Sequence, residues 1–336
     1  MPDEILILGR ANLESLDIGW PDVVDVLEDA FRHKAAGLVQ NPPKPAIHPR
    51  PESFINAMPA YIGGSDRAGL KWVAGYESNR ALGLPYIYGA FILTDAATGR
   101  PMALMDGGWI TEIRTAGVTG VALRQLPRPA AALAIVGCGA QGRRNLAAIL
   151  DGHPEIAEVR AYDRVPAATA ALLALAGDRR TVAAASPEAA LEGADVVVTA
   201  VTVPMGAARL TGADAAGNAL FLPLDYDDAL APSVAQGAAL FTVDDLGQYR
   251  STFSESFAGY PEPHGELADI VAGRLAVPAD ARSVLTHLGI AMDDVALGAL
   301  VFDRVPERGG ANRRPSRSRK PDFAGLSRPR SSACGG

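Results

Sequence analysis

The chain has 336 residues, 48% of them hydrophobic and 21% charged, with a formal net charge of −7. This is the composition of a globular protein of one or two domains, without the basic body surface of a nucleic-acid binder and without an apolar run near the ~20 residues that span a bilayer. Two cysteines, Cys138 and Cys334, and an N-terminus (MPDEILILGR) with no basic start or cleavage site predict a reducing, cytoplasmic setting with no disulfide framework.

Residues 21–37 read as a first helix. Pro21 suits its first turn, and Val23, Leu27, Ala30 and Phe31 fall on one face. Residues 41–51 are proline-rich and extended, with Lys44 after the Pro42-Pro43 pair. Strand-like runs follow at 54–58, 69–74, 87–94 and 101–106, with a turn at 95–100 (DAATGR) between the last two. They predict an antiparallel or mixed sheet, and hence an α+β unit. Lys71 sits in one of these runs beside Trp72 and Val73. A lysine among apolar neighbours either faces a cleft or partner, or snorkels along the strand. Residues 111–126 read as a long helix with Thr111, Arg114 and Thr115 in or near its first turn.

From Leu133 the texture changes to alternating strands and Ala-rich helices. An apolar strand, 133–136, runs into Gly137-Cys138-Gly139-Ala140-Gln141-Gly142 and a helix at 143–150. G-x-G-x-x-G between strand and helix lets backbone N–H groups and a helix N-terminus meet a pyrophosphate. A second strand, 158–162, ends at Asp163, about 20 residues on, where an acid binds a ribose 2′-OH. A carboxylate there repels a 2′-phosphate, so NAD(H) is expected over NADP(H). Arg164 follows and can stack on adenine or meet a phosphate. Further strands at 195–201, 219–224 and 239–243 complete a Rossmann-type, doubly wound parallel sheet. Thr199 and Val201 are placed at the nicotinamide ribose.

Asp225 ends the apolar run at 220–224, at the carboxyl end of a parallel strand, where open α/β sheets place their sites. Asp227 and Asp228 lie beside it, so the acid of interest is Asp225 in one register and a solvated acidic loop in another. A last helix, 292–303, carries Val295, Leu297, Leu300, Val301 and Phe302 and is expected to pack on the first unit. Residues 307–336 hold eight Lys/Arg against two acids, with many Gly, Ser and Pro, and read as a disordered basic tail. The five histidines (33, 48, 153, 264 and 287) lack metal-ligand spacing.

Four blocks together resemble the ornithine cyclodeaminase/μ-crystallin family: Gln40-Asn41-Pro42-Pro43-Lys44, Gly69-Leu70-Lys71, residues 94–115 (TDAATGRPMALMDGGWITEIRT), and the Val136–Gly142 loop. The resemblance spans residues 10–305. It implies a nicotinamide enzyme acting on amino acids or cyclic imino acids, built as a dimer. A substrate and dimerisation domain, 1–115 with 285–306, would flank an NAD-binding domain, 116–284. It assigns Lys71 and Arg114 to a substrate carboxylate, Asp225 to proton transfer at the substrate nitrogen, and Thr115 to the cofactor phosphate. The residue chemistry agrees: the planar fork of Arg114 suits a bidentate carboxylate, although an ion pair with Glu112 is the plainer role.

Two positions depart from the family. Lys44 stands where members carry arginine, which keeps charge but loses the fork; it is otherwise a solvated loop lysine. Asn56 stands where ornithine cyclodeaminases carry a glutamate, which argues against a distal ammonium on the substrate. Amino-acid dehydrogenation or imino-acid reduction therefore ranks above cyclodeamination, with a non-catalytic, crystallin-like binder as the contrasting class.

Overall fold

The computed structural model describes residues 4–252 and 256–306; the basic tail lies outside them. Residues up to Arg304 form one compact unit containing two sheets. Among the described residues no helix is long and apolar enough to cross a membrane.

The chain opens with β1 (Leu6–Leu8), α1 (Arg10–Glu14) and α2 (Trp20–Ala35), then β2 (Val39–Gln40), β3 (Ala46–Ile47), β4 (Ser53–Ile62), β5 (Arg67–Tyr76), β6 (Ile87–Asp95) and β7 (Pro101–Asp106). These strands make a mixed sheet in the order β1-β7-β6-β5-β4-β2, with β3 also on β4. Only β1 runs parallel to its neighbour; the rest are antiparallel. The register sets Met58 opposite Lys71 and Lys71 opposite Phe91. One face, with Met58, Lys71, Val73, Phe91, Leu93 and Met105, is buried. The other is apolar too, yet Ile7, Trp72, Tyr88 and Leu104 on it are 72%, 47%, 49% and 37% exposed. Antiparallel sheets with one solvated face normally alternate apolar with polar side chains, so an open apolar face signals an interaction surface.

Helix α3 (Gly107–Arg124) follows. It begins four residues before the expected start at 111. Asp106, the last residue of β7, caps it by accepting from the Trp109 N–H at 2.7 Å. Two glycines at 107 and 108 mimic a loop in a propensity reading, and the cap overrides them. Arg114 consequently lies two turns inside the helix, not at its start. Fourteen of the eighteen residues of α3 are buried, Arg114, Thr115 and Thr119 among them, so the helix is enclosed on most sides.

The second sheet contains β8 (Ala132–Val136), β9 (Glu158–Tyr162), β10 (Arg180–Ala183), β11 (Val196–Thr199), β12 (Leu220–Pro223), β13 (Leu240–Val243), β14 (Gly265–Glu266) and β15 (Ser283–Thr286). Helices α4 (Ala140–Gly152), α5 (Pro166–Leu173), α6 (Pro187–Leu191), α7 (Pro232–Gln236), α8 (Leu246–Thr252) and α9 (Leu267–Val271) lie between them. The order is β10-β9-β8-β11-β12-β15-β13-β14, parallel throughout. The direction of winding reverses between β8 and β11, which opens a crevice at their carboxyl ends. Strand β15 belongs to this sheet, so the boundary expected at residue 285 falls inside a strand. The final helix, α10 (Ala291–Arg304), packs on α2, α3 and the buried face of β4, β5 and β6.

Candidate active site

The crevice holds a cavity of about 560 Å³ lined by Gly137, Gly139, Asp163, Arg164, Val201 and Met205, among others. Two glycines shape the loop beside it. Gly137 has φ 99°, and a Cβ there would sit 2.4 Å from the Ala200 carbonyl oxygen; a Cβ on Gly142 would sit 2.1 Å from the Gly137 oxygen. A Cβ on Gly139, the residue capping α4, would meet nothing within 4 Å, so this backbone is open to a ligand. Ala140 starts the helix, while the Gln141 side chain turns away and donates to the Thr111 carbonyl at 3.2 Å. Asp163 accepts from the Cys138 N–H (2.8 Å) and the Val165 N–H (2.9 Å). It therefore braces the glycine loop as well as lining the cavity. Burial pushes the Cys138 thiol up to about 11, which leaves it an inert packing residue. Arg80, from the 3-10 turn Glu77–Leu82, reaches the same cavity from the first sheet; no spacing signal pointed to it. The glycine cradle, the open helix N-terminus and the strand-end carboxylate fit a dinucleotide.

Asp225 follows β12 and is 8% exposed. One oxygen accepts from the Thr199 hydroxyl and the other from the Val201 N–H, both at 2.8 Å. Burial raises it to about 7, and the nearby Asp228 pushes the same way against those two donors. Thr199 is thus spent on Asp225, while Val201 serves both this acid and the cavity wall. The register question at 225–228 resolves geometrically: Asp225 is the buried acid, whereas Asp227 pairs with Arg209 at 3.0 Å. Tyr226 adopts φ 57° and donates to the Leu288 carbonyl at 3.0 Å.

The candidate carboxylate-binding residues gather under α10. Lys71 Nζ donates to Asp294 Oδ1 at 2.7 Å, with side chains 1% and 0% exposed. Burial lowers Lys71 to about 8, partly offset by Asp294. Arg114 Nε lies 3.5 Å from Asp294, and its Nη1 lies 3.9 Å from Asp293. Glu112, the partner first considered for Arg114, pairs instead with Arg10 and Arg144. Lys44 Nζ donates to the Leu288 (2.6 Å) and Gly289 (3.2 Å) carbonyls and sits 5.3 Å from the Tyr226 ring centre. The Leu288 carbonyl thereby ties Lys44 to the residue after Asp225. Asn56 shares a sheet face with Lys71, one pair along from Met58. Thr115 is buried and donates back to the Thr111 carbonyl at 2.8 Å.

Four more groups in this cluster escaped the sequence reading. Asp293 is fully buried, neither oxygen has a hydrogen-bond partner, and burial raises it well above the carboxylate range. Asp244 holds the Leu288 and Gly289 N–H groups at 2.9 and 2.8 Å and is raised by burial to about 6. His287, buried near Arg114, is lowered to about 3. Asp294 completes the set. Two signals were available: an acid pair opening an otherwise apolar helix, and Asp244 following β13 as Asp225 follows β12.

A doubly wound parallel sheet with a glycine cradle at its switch point makes this an α/β protein with a Rossmann-like fold. The chain belongs to the ornithine cyclodeaminase/mu-crystallin family, whose sequence profile matches residues 6–309. It is 31% identical over 309 residues to the nodulation efficiency protein NfeD of Rhizobium meliloti, covering 90% of this chain and 96% of that one. It is 30% identical over 317 residues to alanine dehydrogenase of Archaeoglobus fulgidus, covering 90% and 95%. A solved structure of Thermococcus litoralis Δ1-pyrroline-2-carboxylate reductase in complex with NADH and L-proline superposes with a TM-score of 0.79 at 27% identity, covering 89% of this chain and 97% of that one.

Proposed function

We propose that the protein is an NAD(H)-dependent oxidoreductase acting at the α-carbon of an α-amino acid or cyclic imino acid. The observation that carries this reading is the shared segment between cavity and acid: Val201 lines the dinucleotide cavity while its N–H holds Asp225. An acid raised by burial to about 7 thereby lies beside the cavity, a value that suits a general acid–base. When bound, the nicotinamide accepts or supplies the hydride. Lys71 and Arg114 hold the substrate carboxylate, with Lys44 nearby, and orient the α-carbon. Asp225 takes a proton from the substrate nitrogen in oxidation and returns it in reduction. Gly137, Gly139, Ala140 and Gly142 cradle the pyrophosphate, and Asp163 meets the adenosine ribose, which favours NAD over NADP. Similarity to an alanine dehydrogenase and to a pyrroline-2-carboxylate reductase supports the substrate class.

Cyclodeamination of a diamino acid ranks second, since Asn56 offers no charge to a distal ammonium. The division of labour proposed is a first sheet with α10 for substrate and dimerisation, and a second sheet for cofactor. The occupant proposed for the open apolar face of Ile7, Trp72, Tyr88 and Leu104 is the same face of a second copy, a self-complementary dimer. A structural neighbour at 27% identity is described as an archaeal alanine dehydrogenase dimer with bound NAD, in keeping with that choice.

The test is to incubate the pure protein with NAD(H) and a panel of L-amino acids and cyclic imino acids, and to detect products by mass spectrometry. A 2-oxo acid or a reduced cyclic amino acid is expected. Ammonia loss with ring closure and no net cofactor change points to cyclodeamination. NADH binding without any product points to a binding protein, and absence of NADH binding overturns the reading.

A further inference from the structure

The Lys71–Asp294 ion pair is one of the most enclosed charged contacts in the chain, at 2.7 Å between side chains 1% and 0% exposed. It joins the middle of β5 to the first turn of α10, 223 residues apart. Arg114 on α3 shares the same Asp294 oxygen at 3.5 Å. A carboxylate reached by two cations from two other elements can set the separation and aim of both.

We propose that Asp294 is the positioning residue of the anion-binding site: it holds the Lys71 ammonium in place and charged, and it aligns Arg114 beside it. The inference rests on the assignment of Lys71 and Arg114 to the substrate carboxylate. An ammonium has three donors. One goes to Asp294, which leaves two for a ligand, and Arg114 Nε, buried, has no hydrogen-bond partner.

The surroundings of Lys71 explain why a fixed counter-charge is needed. Arg114 from α3 and Lys44 from the segment between β2 and β3 both disfavour a third positive charge, and burial does so more strongly. Asp294 is the group opposing them. Asp293, the adjacent acid, faces Arg114, Asp244, Asp294 and Lys71, and burial raises it well above the ordinary carboxylate value. Neither of its oxygens has a hydrogen-bond partner, and Arg114 Nη1 stands 3.9 Å off. Two neighbouring aspartates on one helical turn thus differ in geometry: Asp294 holds Lys71 at 2.7 Å, whereas Asp293 makes no hydrogen bond. Removing the Asp294 charge lets burial and like charges discharge Lys71.

The experiment uses full-length protein with ¹³C-labelled lysine, the Lys71 resonance being assigned with Lys71→Arg. Lys71 is titrated by NMR without substrate, and steady-state kinetics are followed over the same pH range. In the unsubstituted protein Lys71 is expected to titrate near 8. In Asp294→Asn the midpoint falls by about one pH unit or more. KM for the amino acid then rises about tenfold above that midpoint and recovers below it, with kcat within roughly threefold. A Lys71 titration unmoved by Asp294→Asn overturns the proposal. A titration that moves while KM stays flat upholds the coupling and overturns instead the carboxylate role of Lys71. Should Asp294→Asn not fold, Asp294→Glu keeps the charge but shifts it by one methylene. Lys71 should then still titrate near 8, with KM raised at every pH; an unchanged KM overturns the positioning role.

Discussion

The two sheets place chemistry in opposite ways. In the parallel sheet, β11, β12, β13 and β15 are four residues long and buried throughout. Helices cover both faces, so a charge within such a strand would be stranded. The candidate cofactor and acid–base residues, Gly137, Asp163 and Asp225, lie at the strand ends. In the antiparallel sheet, β4 and β5 are ten residues long, and the candidate carboxylate-binding lysine, Lys71, sits mid-strand on the buried face. A lysine is tolerated there because α10 brings Asp294 to meet it. End-of-strand sites need loops and a helix N-terminus, whereas a mid-face site needs a counter-charge from elsewhere in the chain.

The strand-end rule breaks most severely at the glycine loop. Gly137→Ala forces a Cβ against the Ala200 carbonyl at positive φ. NADH binding should be lost within the range of a fluorescence titration, with stability reduced by about 1–3 kcal/mol in thermal melts. Next comes Asp225→Asn, expected to lower kcat by roughly 10²–10³-fold. The unsubstituted enzyme should show oxidation rising, and reduction falling, as pH increases through about 7. The sign follows from which form is needed: the carboxylate accepts the proton in oxidation, and the carboxylic acid donates it in reduction. The variant should lose that limb of the kcat/KM profile. Because burial raises Asp225 in the folded state, its stability contribution is full below the ordinary carboxylate range and is lost as pH rises through about 7.

On the antiparallel sheet, Trp72→Glu charges the open face without touching Lys71. Sedimentation velocity should report a dimer turned monomer; a dimer that persists removes this face as the interface. A smaller effect is expected at Asp163→Ala, where NADH affinity should weaken about tenfold and NADPH affinity less, since one ribose contact and one brace to the glycine loop go together. The smallest is Lys44→Arg, which restores the fork. KM should fall by no more than about threefold, because Lys44 is already engaged by the Leu288 and Gly289 carbonyls.

The parallel sheet was the more legible half. Five of its eight strands were readable, β9 with Asp163 directly after it fell where expected, and the glycine spacing pointed to the ligand class, whereas β10, β14 and β15 gave no signal that was read. In the first sheet β4 to β7 were legible as strands, and β7 matched its predicted span, but β1 to β3 were not, nor was what lay across the sheet. The start of α3 was missed because the cap at Asp106 is followed by two glycines. Asp293 and Asp294 were passed over because a helix rich in Val, Leu and Ala announces packing.

By itself, then, the amino-acid sequence determined most of the local elements and the dinucleotide loop, because periodicity, turn chemistry and motif spacing are properties of neighbouring residues, while the resemblance to a family singled out Lys71, Arg114 and Asp225 as candidates. Only the tertiary structure decided which acid at 225–228 is buried, that Thr199 serves Asp225, and that Lys71 meets Asp294 rather than solvent. Those outcomes depend on desolvation and on charge partners hundreds of residues apart, and both exist only once the helices close over the sheets.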